Sequence, residues 1–98
     1  MLQEATAVLL DVRETEEWRA GHIPGAQHLP LSRLTAGAKA PDGPRLVLIC
    51  RSGQRSQHAA GLLRERGMDA ADVIGGMKAW ARQGLPVQDT AGATGTVI

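Results

Sequence analysis

The chain has one cysteine, Cys50, and its surroundings could make it reactive. The apolar run "LVLIC" (Leu46–Cys50) ends on it, and "RSGQRS" (Arg51–Ser56) follows before a helical pattern begins. A thiol becomes a strong nucleophile only as thiolate, and cations or amide N–H groups nearby favour that form. A strand-to-helix turn made of small polar residues can aim several backbone N–H groups inward, and the helix N-terminus adds to the same field. Such a cup holds a thiolate and attracts an anionic substrate. Gly53 lets the loop take a backbone angle other residues resist. Ser52 and Ser56 can bond loop amides or cap the helix, and Arg51 and Arg55 add positive charge. The candidates are therefore Cys50 as nucleophile, with Arg51, Ser52, Gly53, Gln54, Arg55 and Ser56 holding substrate. Arg51 directly follows the nucleophile and is the better placed to meet an incoming anion. Arg55 sits at the helix start, where its side chain can face the mouth or lie back across the helix. A cysteine after four apolar residues can also be a small buried hydrophobe, but a packing cysteine gains nothing from two arginines in its loop.

The elements that would position this loop follow from periodicity and punctuation. Ala7–Val12 reads as a buried strand and Glu14–Ala20 as a short helix, with Glu16 and Glu17 at the positive end of its dipole and Gly21 as its stop. His22–Ala26 ("HIPGA") is a turn, Gln27–Leu29 a short strand, and Leu31–Leu34 one helical turn with Ser32 as a nearby cap. Thr35–Arg45 is loop. Leu46–Cys50 shows no alternation, as expected of a strand covered on both faces. Gln54–Arg66 is a helix with Ala59, Leu62 and Leu63 at helical spacing. Ala71–Ile74 is a strand that Gly75 and Gly76 break, and Met77, Trp80 and Ala81 mark one face of a last helix. Val87–Ile98 is small and polar without period, and residues 88–98 read as a tail or linker beyond a domain of residues 1–87. The alternation predicts an α/β fold, a parallel sheet with helices on both faces. Ligands of such sheets sit beyond the carboxyl ends of the strands, where Asp11, Cys50 and Gly75 all fall.

Composition narrows the function. Ninety-eight residues make one small domain, with no Phe, no Tyr and two Trp, so Ala, Leu and Val must fill the core. A net charge of +1 without a basic block gives no reason to expect a nucleic-acid partner. A lone cysteine makes no internal disulfide, and His22, His28 and His58 lack metal spacing, so neither metal nor cofactor is expected. No apolar run approaches the ~20 residues of a membrane span, and the first residues lack a signal-peptide pattern. The expected setting is reducing and cytoplasmic, without membrane contact from this segment.

Three blocks in order, "LLDVRETEEWRAGHIPGAQHLPL" (Leu9–Leu31), "CRSGQRS" (Cys50–Ser56) and "IGGMKAWARQGLPV" (Ile74–Val87), resemble a single-domain rhodanese. The resemblance implies a rhodanese-like α/β fold with a central parallel sheet of four to five strands. It also implies a six-residue active-site loop, Cys50 to Arg55, and a persulfide on Cys50. Thiosulfate or another small anionic sulfur donor would load the sulfur. A thiol, cyanide or a protein sulfur acceptor would take it. Arg51 matches the basic second loop position of thiosulfate-using members. Asp11 and Arg13 match the family's "DVR", as rim residues that fix neighbouring loops by ion pairs, with substrate contact as a second role open to them. Glu17 and Trp18 match a conventional pair, Trp18 as core. Gly75 and Gly76 match the turn beside the active-site loop, with Trp80 as core. Family members usually carry a strand and helix before "LLDVR", whereas six residues precede Ala7 here. The first element is therefore expected to be missing, trimmed or replaced by something outside this chain, which leaves four strands where the family has five. Two other readings compete. Related cysteine phosphatases and arsenate reductases have five residues between Cys and Arg where this chain has four, a cup less suited to a tetrahedral oxyanion. A non-catalytic module that docks a partner or senses sulfur or redox state is the alternative of a different class.

Overall fold

A computed structural model describes residues 7–98 of the chain; the question of an earlier element falls on residues outside that range. Four short strands alternate with four helices: β1 (Val8–Asp11), α1 (Thr15–Ala20), β2 (Gln27–His28), α2 (Leu31–Thr35), β3 (Leu46–Ile49), α3 (Gln54–Glu65), β4 (Ala70–Asp72) and α4 (Gly76–Arg82). Each boundary lies within two residues of the one read from sequence, so periodicity and glycine punctuation specify these elements locally.

The strands form one parallel sheet in the order β2-β1-β3-β4. The register aligns Asp11 with Ile49 and with His28, and Leu48 with Asp72. Strand ends are therefore level at one rim, and Cys50 stands one residue beyond Ile49. Successive strand side chains point to opposite faces, which divides the core in two. Leu10, Leu46 and Leu48 pack with Leu34 of α2 and with Ala59, Ala60 and Leu63 of α3. Leu9 and Ile49 face the other way, onto Ile23, Met77, Trp80 and Val87. Cys50 falls in the first cluster, packed with Ala59 and Ala60. The adjacent alanines Ala59 and Ala60 are fully buried, and their small size lets α3 approach the sheet closely enough to seat its first turn under the thiol.

Two readings differ from the structure. Ser32 does not cap α2, whose N-cap is Pro30; its hydroxyl donates instead to the Glu14 carboxylate at 3.1 Å. Residues 88–98, read as a tail or linker, fold back on the domain. His22 and Gln88 exchange backbone hydrogen bonds at 2.8 and 2.9 Å, and Val97 packs onto the Ile49–Met77 cluster. The small polar composition hid this because the segment is held by backbone bonds rather than by a periodic apolar face. No helix among the described residues is long and apolar enough to cross a membrane.

Candidate active site

The Cys50 side chain lies at the floor of the loop between β3 and α3, and the residue is 1% exposed. Gly53 N–H donates to Sγ at 3.1 Å. The thiol donates to Ser56 Oγ at 3.3 Å, and the Ser56 hydroxyl donates in turn to the Gly53 carbonyl at 3.2 Å. Gly53 can serve this way because it takes φ 117° at the N-cap of α3, a left-handed angle that costs glycine little. Burial is the largest single influence on the thiol and pushes its pKa up. The Ser56 hydroxyl and the amides of Ser56, Gly53 and Ser52 pull it down, and together they prevail, so Cys50 ionises below its ordinary value. Hydrogen bonds at contact range achieve this, with no arginine among the principal causes.

The neighbouring turn orients the loop. Gly75 and Gly76 take φ 83° and 59° at the start of α4. Met77 N–H then donates to the Cys50 carbonyl at 2.8 Å, and Lys78 N–H to the Arg51 carbonyl at 3.0 Å. With those carbonyls drawn toward α4, the loop can turn its own N–H groups toward the sulfur. Gly76 has to lack a side chain, since a Cβ there would run into the Cys50 carbonyl and lie 2.7 Å from that of Arg51.

The two loop arginines part company. Arg55 gives both Nη groups to Glu17 of α1, at 2.7 and 2.8 Å. Glu17 also accepts the Glu14 N–H at 3.0 Å. The Arg55 bond holds the Glu17 carboxyl below its usual range, against a smaller upward push from burial. Arg55 therefore lies toward α1 as a brace. Arg51 is exposed, and its Nε donates to a main-chain oxygen of Ile98 at 2.9 Å. Ser52 and Gln54 line a shallow pocket of about 210 Å³ with Gly53, Ile74 and Gly75. The pocket borders the loop without including Cys50 in its wall. A larger depression of about 370 Å³ around Gln27–Leu29 and Lys39–Asp42 has no residue of the loop in its lining, whereas the smaller one is walled by Ser52, Gly53 and Gln54 of the loop.

Asp11 and Arg13 are fully buried rather than exposed at the rim. Arg13 Nε and Nη2 grip the Asp11 carboxylate at 2.7–3.1 Å, and Nη2 also donates to the Gly21 carbonyl at 2.7 Å. This ion pair ties the end of β1 to the end of α1 and presents no surface to a substrate, which corrects the substrate-contact role. Trp18, expected in the core, is instead half-buried and stacked on His22 and on His28, with ring centroids 3.6 and 4.7 Å away. Gly76 was expected in the turn beside the loop, but neither its close contact with the Cys50 and Arg51 carbonyls nor the bracing role of Glu17 was. The glycine pair at a strand end was the available signal for one. Nothing local announced the other, because Glu17 and Arg55 are 38 residues apart.

A family model for the rhodanese-like domain matches residues 1–83. The chain belongs to the rhodanese-like domain family. Among its relatives, the probable adenylyltransferase/sulfurtransferase MoeZ of Mycobacterium tuberculosis is 42% identical over 82 residues, covering 80% of this chain and 21% of that protein. The chain thus spans about a fifth of that longer relative. The putative sulfurtransferase YtwF of Bacillus subtilis is 39% identical over 79 residues, covering 80% of this chain and 77% of YtwF. A rhodanese-related protein from Thermoplasma volcanium superimposes with a TM-score of 0.74 at 34% identity, over 83% of this chain and 82% of that one. The rhodanese-like domain described here thus shares its fold with a solved rhodanese-related protein, and Cys50 stands at the rim, one residue beyond β3.

Proposed function

We propose that this rhodanese-like domain is a sulfurtransferase that carries a sulfane sulfur as a persulfide on Cys50. The Cys50 thiolate attacks the outer sulfur of thiosulfate or a similar anionic donor. A sulfur–sulfur bond forms to Cys50 as the donor's own breaks, and sulfite leaves with the electron pair. A thiol, cyanide or a protein acceptor then takes the outer sulfur and returns Cys50 to thiolate. One transfer becomes two easier steps through a covalent intermediate.

The observation that carries this reading is the sulfur seated among the first amides of α3, with its pKa lowered. Ser56 suits both states of the sulfur. Its hydroxyl accepts from the thiol and, once the proton has left, can rotate to donate to the thiolate. The amides of Ser52, Gly53 and Gln54 would line the cup that receives the outer sulfur, and Arg51 would meet the donor's charge. The relatives named as sulfurtransferases support the same chemistry. Phosphatase or arsenate reductase chemistry is disfavoured by the short loop and by Arg55, whose Nη groups are engaged by Glu17 rather than turned to an oxyanion. A purely docking module would have no use for an activated thiol in the loop; a sulfur or redox sensor would use one, and is set apart by whether the Cys50 sulfur passes on to an acceptor.

Intact mass after thiosulfate treatment tests the proposal. The wild type should gain one sulfur, removable by cyanide or a reductant, and Cys50→Ser should gain none. A wild type that gains no sulfur from thiosulfate or from any persulfide donor would overturn the sulfurtransferase reading. Steady hydrolysis of an aryl phosphate, lost in Cys50→Ser, would favour the phosphatase instead.

A further inference from the structure

The C-terminal segment is seated too specifically to be a trailing end. After the His22–Gln88 pairing, Asp89 closes a turn by accepting the N–H groups of Ala91 and Ala93 at 2.9 and 3.0 Å. The chain then returns. Gly95 N–H donates to the Val87 carbonyl and Thr96 N–H to that of Ala20, both at 2.8 Å. Gly21 and Gly95 meet backbone to backbone. A Cβ on Gly95 would lie 2.7 Å from Gly21 Cα and 2.8 Å from the Ala20 carbonyl. Val97 is partly buried against the Ile49–Met77 cluster, and the path reaches Ile98, whose main-chain oxygen accepts from Arg51 Nε at 2.9 Å.

We propose that this strap, residues 87–98, is a positioning element for anion capture. It holds Arg51 through Nε and leaves the Nη edge of the guanidinium for an anionic sulfur donor. The inference rests on the sulfurtransferase reading above and deepens it. An exposed arginine free to sample all its rotamers loses that freedom when it grips an anion, which weakens binding. A bond through Nε removes part of that loss beforehand. The strap acceptor, a main-chain oxygen of Ile98, meets Nε alone. The guanidinium has five N–H donors, and the strap uses one; the paired Nη edge suits the oxygens of a sulfonate-like group.

Two variants unseat the strap differently. Gly95→Val inserts a side chain where the backbones touch, and Thr96→Pro removes the N–H that binds Ala20. Folding is followed by tryptophan fluorescence. In both, KM for thiosulfate should rise about three- to tenfold with kcat unchanged, the signature of lost uniform binding. Alkylation of Cys50 by neutral iodoacetamide should stay at the wild-type rate, while alkylation by anionic iodoacetate slows. Arg51→Ala should raise KM at least as much, and adding Gly95→Val to it should change nothing further. An unchanged or lowered KM overturns the proposal, as does an equal rise in the Arg51→Ala background. Slower iodoacetamide alkylation in the strap variants would mean that the strap braces the whole loop, and also overturns it. If wild type takes no sulfur from thiosulfate, the sulfurtransferase reading fails first. The iodoacetate-to-iodoacetamide ratio then still decides whether the strap governs anion capture.

Discussion

The two strand-to-helix turns at the rim share a design and use it oppositely. The turn after β3 and the turn after β4 each place a glycine in the left-handed region at the helix N-cap, Gly53 at φ 117° and Gly75 at φ 83°, and neither helix has a side-chain cap. Each therefore begins with backbone N–H groups that need partners. At α4 the partners are the carbonyls of Cys50 and Arg51. At α3 an N–H finds the sulfur of Cys50. The second turn satisfies the carbonyls of the first, which leaves the first with N–H groups facing an anion. The path of the loop around the thiol is thus braced by a turn whose hydrogen bonds go to the Cys50 and Arg51 carbonyls rather than to the sulfur.

Paired substitutions at the two turns probe this bracing most strongly. Gly76→Ala puts a methyl against the Cys50 and Arg51 carbonyls and forces an L residue into φ 59°. We expect a stability loss of about 2–4 kcal/mol and a persulfide-forming rate down by roughly tenfold or more, since each 1.36 kcal/mol lost at the transition state is tenfold. Gly53→Ala meets only the Gly75 nitrogen at 3.5 Å, so its cost should be conformational alone, about 1–2 kcal/mol. Denaturant melts and single-turnover mass spectrometry on both variants compare the two turns. Equal losses would mean that close packing at Gly76 is unimportant.

Ser56→Ala should have a smaller effect, of about 1 kcal/mol in stability. Its clearer readout is the pH midpoint of Cys50 alkylation, which should rise because the hydroxyl is the largest influence lowering it. A depressed folded-state pKa means that the unfolded chain binds more protons between that value and the free-cysteine value of about 8.5. Wild-type stability should therefore rise with pH through that window and lose the increment as pH falls through the folded value. Ser56→Ala should show a shallower rise and Cys50→Ser none of this contribution. An unmoved alkylation midpoint in Ser56→Ala would leave the amides as the whole cradle.

Glu17→Gln should show the least effect, at most about 1 kcal/mol, because the Glu17–Arg55 pair is partly exposed, at 17% and 35%. Glu17 also has a lowered pKa. Its contribution is present above the unfolded carboxylate value of about 4.3 and lost as pH falls through the lower folded one. The gap between wild type and variant in urea melts should therefore close on acidification below about pH 5. A gap that persists in acid would point to packing rather than charge.

Much of the site was legible in advance because its parts are local. The end of an apolar strand, one thiol, a glycine and two serines within seven residues specify a loop whose amides can converge, since short-range backbone geometry depends on nearby residue types. The alternation of strands and helices likewise determined a parallel sheet with its carboxyl ends at one rim. Long-range partners were not legible. Arg13 looks like a rim cation in "DVR", and only folding buries it against Asp11 and the Gly21 carbonyl. Arg55 looks like a substrate cation until the tertiary structure brings Glu17 within 2.7 Å. Residues 88–98 have no periodic face, so composition marks them as a tail. Only the close approach of Gly21 and Gly95, a contact between backbones 74 residues apart in number, turns them into a strap that ends on Arg51. The sequence by itself determined where the one thiol of the chain stands and which local amides could cradle it. The tertiary structure decided which charges are left to meet a substrate, because an ion pair or a backbone contact between distant segments leaves no local pattern in the residues that make it.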